Sequence, residues 1–324
     1  MQRILDFIKA NNYSRIAIFS HMRGDGDCLG AQTGLAEILI SAGLCVDMYN
    51  QEILPENLSF LYRFENITKA DSFSAVPDVC IAVDCASFER IGELPEAFKQ
   101  KEWINIDHHI SNTNFGVINI VDGEASSTCE VLTRMAQRAQ MAITKETATS
   151  LYTGISTDTG SFMYPNATQE TFELAAFLLA SEADKSLVQA NVFENTSRKQ
   201  MNIYGYLYSN IRFMREDKVA YAVFSYELLQ DMKATSADLD GVVSLIKQIA
   251  GVELAILFTE LKKGQCKISL RTKDYFDANK FCAGFGGGGH VRASGATITD
   301  NLQSATEKVL NEINCNWEEY IDVK

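Results

Sequence analysis

The chain has 324 residues, 46% of them hydrophobic and 22% charged, with a net charge of −13 at pH 7. That hydrophobic share is ordinary for a globular protein and excludes a mainly disordered chain, and the length suits two modest domains. The acidic excess argues against a protein that coats long duplex nucleic acid, because such binding needs clustered cations to displace counterions.

The opening MQRILDFIKANNYSR reads as an amphipathic helix with Ile4, Leu5 and Ile8 on one face, and with no apolar core of an export signal. A cytoplasmic protein is therefore expected. The longest apolar runs, such as Arg15–Ser20 and Val79–Val83, are strand-length. They fall far short of the roughly 20 apolar residues that cross a membrane, so no membrane partner is expected.

RIAIFSH (15–21) predicts a buried strand, followed by helical periodicity over 28–41 and a strand at 46–49. VCIAVDC (79–85), WINIDHH (103–109) and FGVINIV (115–121) predict further strands, and helices follow over 127–139 and 145–155. This alternation predicts an α/β domain with a mainly parallel sheet and helices on both faces. In such sheets ligands bind outside the carboxyl ends of the strands. Helical patterns continue over 169–179 and 198–212, and the charged run 215–218 marks a change of texture.

Beyond it come KVAYAVFSYE (218–227), a helix over 241–250, the hairpin-like pair VELAILFTE and CKISLRT, a glycine cluster, a strand ATIT (296–299) and a last helix. The reading is a catalytic domain over 1–190, a helical connector over 191–215, and a smaller α/β domain over 216–324. The 8 cysteines are scattered without a CxxC pair, which speaks against a disulfide framework or zinc ribbon.

Candidate chemistry gathers at the strand ends. Asp25 and Asp27 sit in the turn HMRGDGDCLG between the first strand and its helix, where glycines at 24 and 26 widen the allowed backbone. Taken alone, an Asp-Gly-Asp is usually a turn or a helix N-cap. Asp84 ends one apolar run, Asp107-His108-His109 ends another, and Asp158 follows a helix. The chain has only 4 histidines: His21, His108 and His109 lie at these acidic ends, and His290 lies in the glycine cluster. Such coincidence points to a metal site. Carboxylates with imidazole suit manganese or magnesium, and the imidazoles tilt the choice to manganese. Two ions sharing a carboxylate could clamp an in-line phosphoryl displacement, with a metal-activated hydroxide as nucleophile.

HMRGDGD, VDCA (83–86), the DHH triplet at 107–109 and STDTGSF (156–162) resemble four successive motifs of the DHH phosphoesterase superfamily, and FGGGGHVRASG (285–295) is similar to the signature of its accessory DHHA1 domain. The resemblance spans nearly the whole chain, and the compact length resembles the oligoribonuclease (nanoRNase)/pAp phosphatase branch rather than the larger single-strand DNA exonucleases. It implies that His21 and Asp25 bind one divalent cation and Asp27, His108 and Asp158 a second, with Asp84 bridging. Asp107 and His109 would act nearby, either supporting the site or as proton donor. Where the family often has Asn-Pro before the first Asp and Ser after Leu-Gly, this chain has Arg23-Gly24 and Ala31.

On the substrate side, Gly286, Gly287, Gly288 and Gly289 leave backbone N–H groups uncovered, and His290, Arg292 and Ser294 add donors for an anion. Family resemblance implies that Arg271 holds a terminal phosphate. The expected function is hydrolysis of short RNA oligonucleotides to mononucleotides, and of 3′-phosphoadenosine 5′-phosphate to AMP. A cyclic-dinucleotide or pApA phosphodiesterase, an inorganic pyrophosphatase and an inactive nucleotide-binding regulator stand as alternatives. A homodimer is expected by family analogy only.

Overall fold

The apolar runs of the first half become strands, and their pairing order decides where chemistry can sit. In the computed structural model, which describes residues 1–321, β1 (Arg15–Ser20), β2 (Cys45–Tyr49), β3 (Ile67–Thr68), β4 (Val79–Val83), β5 (Trp103–Asp107) and β6 (Ile118–Val121) form one sheet in the order β3-β2-β1-β4-β5-β6. Every pairing in it is parallel. The chain winds outward from β1 to β3 and then returns to β4 on the other side of β1. The switch point thus lies between β1 and β4, where open α/β sheets receive ligands.

The helices of this unit are α1 (Gln2–Ala10), α2 (Gly26–Ser41), α3 (Glu96–Lys99), α4 (Thr128–Arg138), α5 (Lys145–Asp158), α6 (Gln169–Ala180) and α7 (Lys185–Val188). β4 and β5 are buried at every position and β1 at all but Arg15, which is why these strands read as unbroken apolar runs. Ile16, Ile18, Ile81 and Ile106 share one cluster with Ile4 and Ile8 of α1, Leu35 and Leu39 of α2, Leu132 of α4 and Leu151 of α5. Ala17, Phe19, Ala82 and Trp103 face the other way, under Phe98 of α3 and short turns through Ala70 and Ile91. Helices therefore cover both faces, one of them far more heavily.

α2 carries Gly26, Gly30 and Gly34 one turn apart, and this stripe lies antiparallel against α5. A Cβ on Gly30 would stand 2.4 Å from the Ser150 carbonyl oxygen and 3.3 Å from the Gly154 backbone nitrogen of α5. Only glycine lets the backbones approach so closely. The contact draws the first turn of α2, with Asp27, to the last turn of α5, with Asp158.

Contact density divides the chain into two units, Met1–Asn195 and Thr196–Lys324. The second contains α8 (Arg198–Asn210), β7 (Arg212–Met214), β8 (Val219–Phe224), α9 (Tyr226–Asp231), α10 (Val242–Lys247), β9 (Leu254–Lys262), β10 (Gln265–Thr272), α11 (Ala278–Ala283), β11 (Gly288–His290), β12 (Ala293–Ile298) and α12 (Leu302–Asn316). Its sheet runs β11-β12-β10-β9-β8-β7, with β8 and β9 parallel and the other pairs antiparallel. Ile256, Phe258, Ile268 and Leu270 pack toward α11 and α12, and Ala222, Phe224 and Leu257 toward α8 and α10. The segment read as a connector, 191–215, thus contributes α8 and β7 to this unit: Ile203 and Leu207 of α8 are fully buried in its core.

The glycine cluster is not all loop either. Gly288–His290 is a strand paired with β12, and Gly289 has φ +151, where a Cβ would meet the Ala293 carbonyl oxygen at 2.5 Å. Part of that glycine run is therefore required by strand pairing.

Candidate metal centre

β1 delivers His21 to the switch point, 4% exposed. Its Nδ1–H donates to the Met22 carbonyl at 2.6 Å, which leaves Nε2 facing Asp84 Oδ2 at 3.2 Å and Asp25 Oδ2 at 3.7 Å. Asp25 is indeed the N-cap of α2, with Oδ1 accepting from the Cys28 N–H at 3.0 Å. Only one oxygen serves the cap. The other stays with His21.

Asp84 follows β4 with φ +57, a left-handed conformation uncommon outside glycine and costing roughly 1–2 kcal/mol. Its N–H donates to the Ile106 carbonyl, so the strained turn is pinned to β5. The two carboxylate oxygens then face different neighbours. Oδ2 meets His21, while Oδ1 accepts from the Thr128 hydroxyl at 3.1 Å and lies 3.6 Å from both His108 Nε2 and His109 Nδ1.

Asp27, in the first turn of α2, is fully buried. The N-terminus of α4 grips it: the Thr128 N–H donates to Oδ2 at 2.7 Å and the Cys129 N–H to Oδ1 at 2.8 Å. His108 turns Nδ1 to the Ala125 carbonyl and points Nε2 at Asp158 Oδ2, 3.5 Å away, and at Asp27 Oδ2, 4.0 Å away. Asp107 is fully buried and accepts from His109 Nδ1–H at 2.8 Å and from Asn112 Nδ2 at 2.6 Å.

Three groups in this region hold donors close enough to share an ion: His21, Asp25 and Cys28; Asp84, His108 and His109; and Asp27, His108 and Asp158. The electrostatics fit a cation. Among the described residues, Asp25, Asp27, Asp84 and Asp158 form ion pairs with histidine alone, never with Lys or Arg. Burial, then the Asp84 charge, pushes the Asp27 carboxyl well above the usual carboxylate range. Burial, then the charges of Asp27, Asp25 and Asp84, pushes Asp158 up to about 10. Burial opposes the His21 cation, yet its bonds to Asp84 and Cys28 prevail and lift it to about 12. Burial also opposes the Asp84 charge, but the bond from His21 and the nearby imidazoles hold it below the usual range. A divalent cation held by these donors would displace those protons and relieve the crowding of charge.

The eight first-unit residues singled out from the sequence, His21, Asp25, Asp27, Asp84, Asp107, His108, His109 and Asp158, come together here. Cys28, Asn112, Thr128 and Cys129 were not foreseen. The pattern Ser127-x-x-Glu130 announces a helix start, and Ser127 does accept from the Glu130 N–H at 3.0 Å, but nothing in it says that the next N–H groups meet Asp27.

In the second unit, Arg271 of β10, Ala293 of β12 and His290 of β11 share one row of the sheet. Arg271 lines a cavity of about 110 Å³ with Lys267, Ser269, Thr259 and the segment around Asp240. Burial pushes its guanidinium down, and no carboxylate pairs with it among the described residues. Arg292 donates to the Phe276 carbonyl, and the buried Ser294 hydroxyl to the His290 carbonyl, so these two brace the turn. Among the described residues no helix is long and apolar enough to cross a membrane.

A parallel sheet with an aspartate–histidine cluster at its switch point, joined to a mixed-sheet domain, defines the class: residues 15–155 match the DHH family, N-terminal domain, and residues 216–315 match the DHHA1 domain. The chain belongs to the DHH family. It is 32% identical over 302 residues to a bifunctional oligoribonuclease and PAP phosphatase NrnA of Mycoplasma genitalium, covering 90% of this chain and 91% of that one. It is 30% identical over 323 residues to the NrnA of Thermus thermophilus, covering 97% and 93%. Among solved structures, an exopolyphosphatase-related protein from Bacteroides fragilis matches with a TM-score of 0.87 and 28% identity over 97% of each chain.

Proposed function

We propose that this protein is a divalent-metal-dependent phosphoesterase that hydrolyses short oligoribonucleotides to mononucleotides and 3′-phosphoadenosine 5′-phosphate to AMP. The observation that carries the reading is the split environment of Asp84, one oxygen on His21 and the other on His108 and His109. A carboxylate so placed would serve as a bridge: His21 and Asp25 would hold one ion, Asp27, His108 and Asp158 the other. Bound there, two cations supply charge stabilisation at the phosphoryl oxygens and acidify a water. Manganese is the favoured metal because imidazoles accompany the carboxylates. The names of the relatives direct the choice of substrate.

The chain's own contribution to hydrolysis is a proton and a grip. Cleavage of the P–O bond leaves a 3′-oxygen that needs a proton. His109 is placed to give one from Nε2, since Nδ1 is taken by the buried Asp107, whose hydrogen bond raises the histidine's pKa. Arg271, half-buried and without a carboxylate partner among the described residues, suits a phosphate.

The test is purified protein assayed with Mn2+, with Mg2+ and with chelator against a diribonucleotide, 3′-phosphoadenosine 5′-phosphate and pyrophosphate. Metal-dependent turnover of the two nucleotides is expected. Turnover of pyrophosphate alone would replace the reading with a pyrophosphatase, and none at all would end it.

A further inference from the structure

We infer that Thr128 is a positioning residue of this centre: its hydroxyl sets the orientation of Asp84 while its backbone N–H holds Asp27, so that one residue aligns the proposed bridging carboxylate and a carboxylate of the second proposed ion. The inference rests on the metal-centre reading above. Thr128 is fully buried. It donates from Oγ1 to Asp84 Oδ1 at 3.1 Å and from N–H to Asp27 Oδ2 at 2.7 Å. The backbone of Asp84 is fixed by its N–H bond to Ile106. Its carboxylate can still turn about the last side-chain bond. The Thr128 hydroxyl opposes that turn from the Oδ1 side and His21 from the Oδ2 side.

The device works only if α4 itself stays put, and its first turn is braced from behind. Glu130, 1% exposed, accepts from the Ser126 hydroxyl at 2.5 Å and the Thr171 hydroxyl at 2.7 Å. Its other oxygen meets Arg134 at 3.0 Å, and Arg134 also pairs with Asp122 and Glu170. Thr128 is therefore presented from a rigid helix end. Groups that orient a metal-binding carboxylate in this way typically carry roughly 10–100-fold in metal affinity.

The test is calorimetric titration of Mn2+ into metal-stripped protein. Thr128→Val, which keeps the shape and removes the hydroxyl, should weaken binding by roughly 10–100-fold, and Thr128→Ser should restore it. Thr133→Val is the control, because that hydroxyl is buried in the same helix but among the described residues bonds only the Cys129 carbonyl. It should bind as wild type. Wild-type affinity in Thr128→Val would overturn the inference, as would equal weakening in Thr133→Val. Asp84→Asn separates this from the larger reading: if it binds Mn2+ as wild type, the metal centre is wrongly placed. If it loses binding while Thr128→Val keeps it, only the positioning role falls.

Discussion

The buried carboxylate of Asp107 holds His109 by one bond, from Nδ1–H to Oδ1 at 2.8 Å, and leaves the ring with 37% of its side chain exposed. An imidazole fixed in one tautomer by a buried acid and open on its other side is built to pass a proton. His109→Gln should lower kcat by roughly 10²–10⁴-fold while Mn2+ affinity changes little. Asp107→Asn should follow in the same direction, since the ring then loses the partner that sets its tautomer. An unchanged kcat in His109→Gln would leave the proton to another group.

Arg271 offers a different split. Its guanidinium lines a small cavity beside Lys267 and Ser269, and among the described residues its NH1 donates only to the Leu270 carbonyl. Arg271→Gln should raise KM for 3′-phosphoadenosine 5′-phosphate by about tenfold or more, in keeping with the loss of a charge-assisted bond worth roughly 1.5–3 kcal/mol. Mn2+ affinity should be unaffected. Arg271→Lys should recover little, because an ammonium cannot reproduce the planar fork. Steady-state kinetics on the three proteins checks this.

Much of the centre could be seen in the sequence because strand ends announce themselves. Asp84 and Asp107 each interrupt or close a buried apolar run, where an ionisable group is costly, and histidines are too few here to coincide with them by chance. The contact of α2 with α5 gave no such signal. A glycine every fourth residue lowers helix propensity, and only the packed structure shows that Gly30 sits against the Ser150 carbonyl. The same holds for Thr128, whose hydroxyl finds its partner 44 residues away. The glycine run shows the opposite case: its composition carries no strand signal, yet β12 recruits Gly288–His290 as an edge strand. α8 reads as a connector from sequence because its buried pair, Ile203 and Leu207, is only one turn of apolar surface until the second sheet packs on it.

Metal-stripped protein should lose stability as pH rises from about 5 to 8, which lies inside the window from 3.8 to about 10 that the Asp158 shift opens. Asp158, lifted to about 10, and Asp27, also raised, bind protons in the folded chain that the unfolded chain has released above its ordinary carboxylate range. The folded state then holds more protons, and stability falls with pH. His21, raised to about 12, adds the same sign above its unfolded value of 6.5. Asp84 is depressed, so its contribution is lost only in more acid solution. Scanning calorimetry in chelator should show Tm dropping by several degrees over this range. Added Mn2+ should flatten or reverse the trend, since ligation needs the deprotonated carboxylates. A chelated Tm that climbs with pH would contradict the charge-crowded cluster.

Two glycine substitutions should move stability in opposite directions. A Cβ on Gly154 would come within 2.3 Å of Cys129 Sγ and 2.5 Å of Asp27 Oδ1, deep where α2, α4 and α5 meet. Neither neighbour can yield freely: Cys129 belongs to the braced first turn of α4, and Asp27 is held by two N–H bonds. Gly154→Ala should cost about 1–3 kcal/mol by overpacking and should weaken Mn2+ binding as well, because the displaced group is a proposed ligand. Gly205, in the middle of α8, has nothing within 4 Å of a built Cβ. Gly205→Ala should therefore stabilise by about 0.5–1 kcal/mol through the ordinary gain of helix propensity, with metal binding untouched. Urea unfolding measures the first quantity and calorimetric titration the second. If Gly154→Ala unfolded at a lower midpoint yet bound Mn2+ as wild type, the α2–α5 contact would support the fold without setting the position of Asp27.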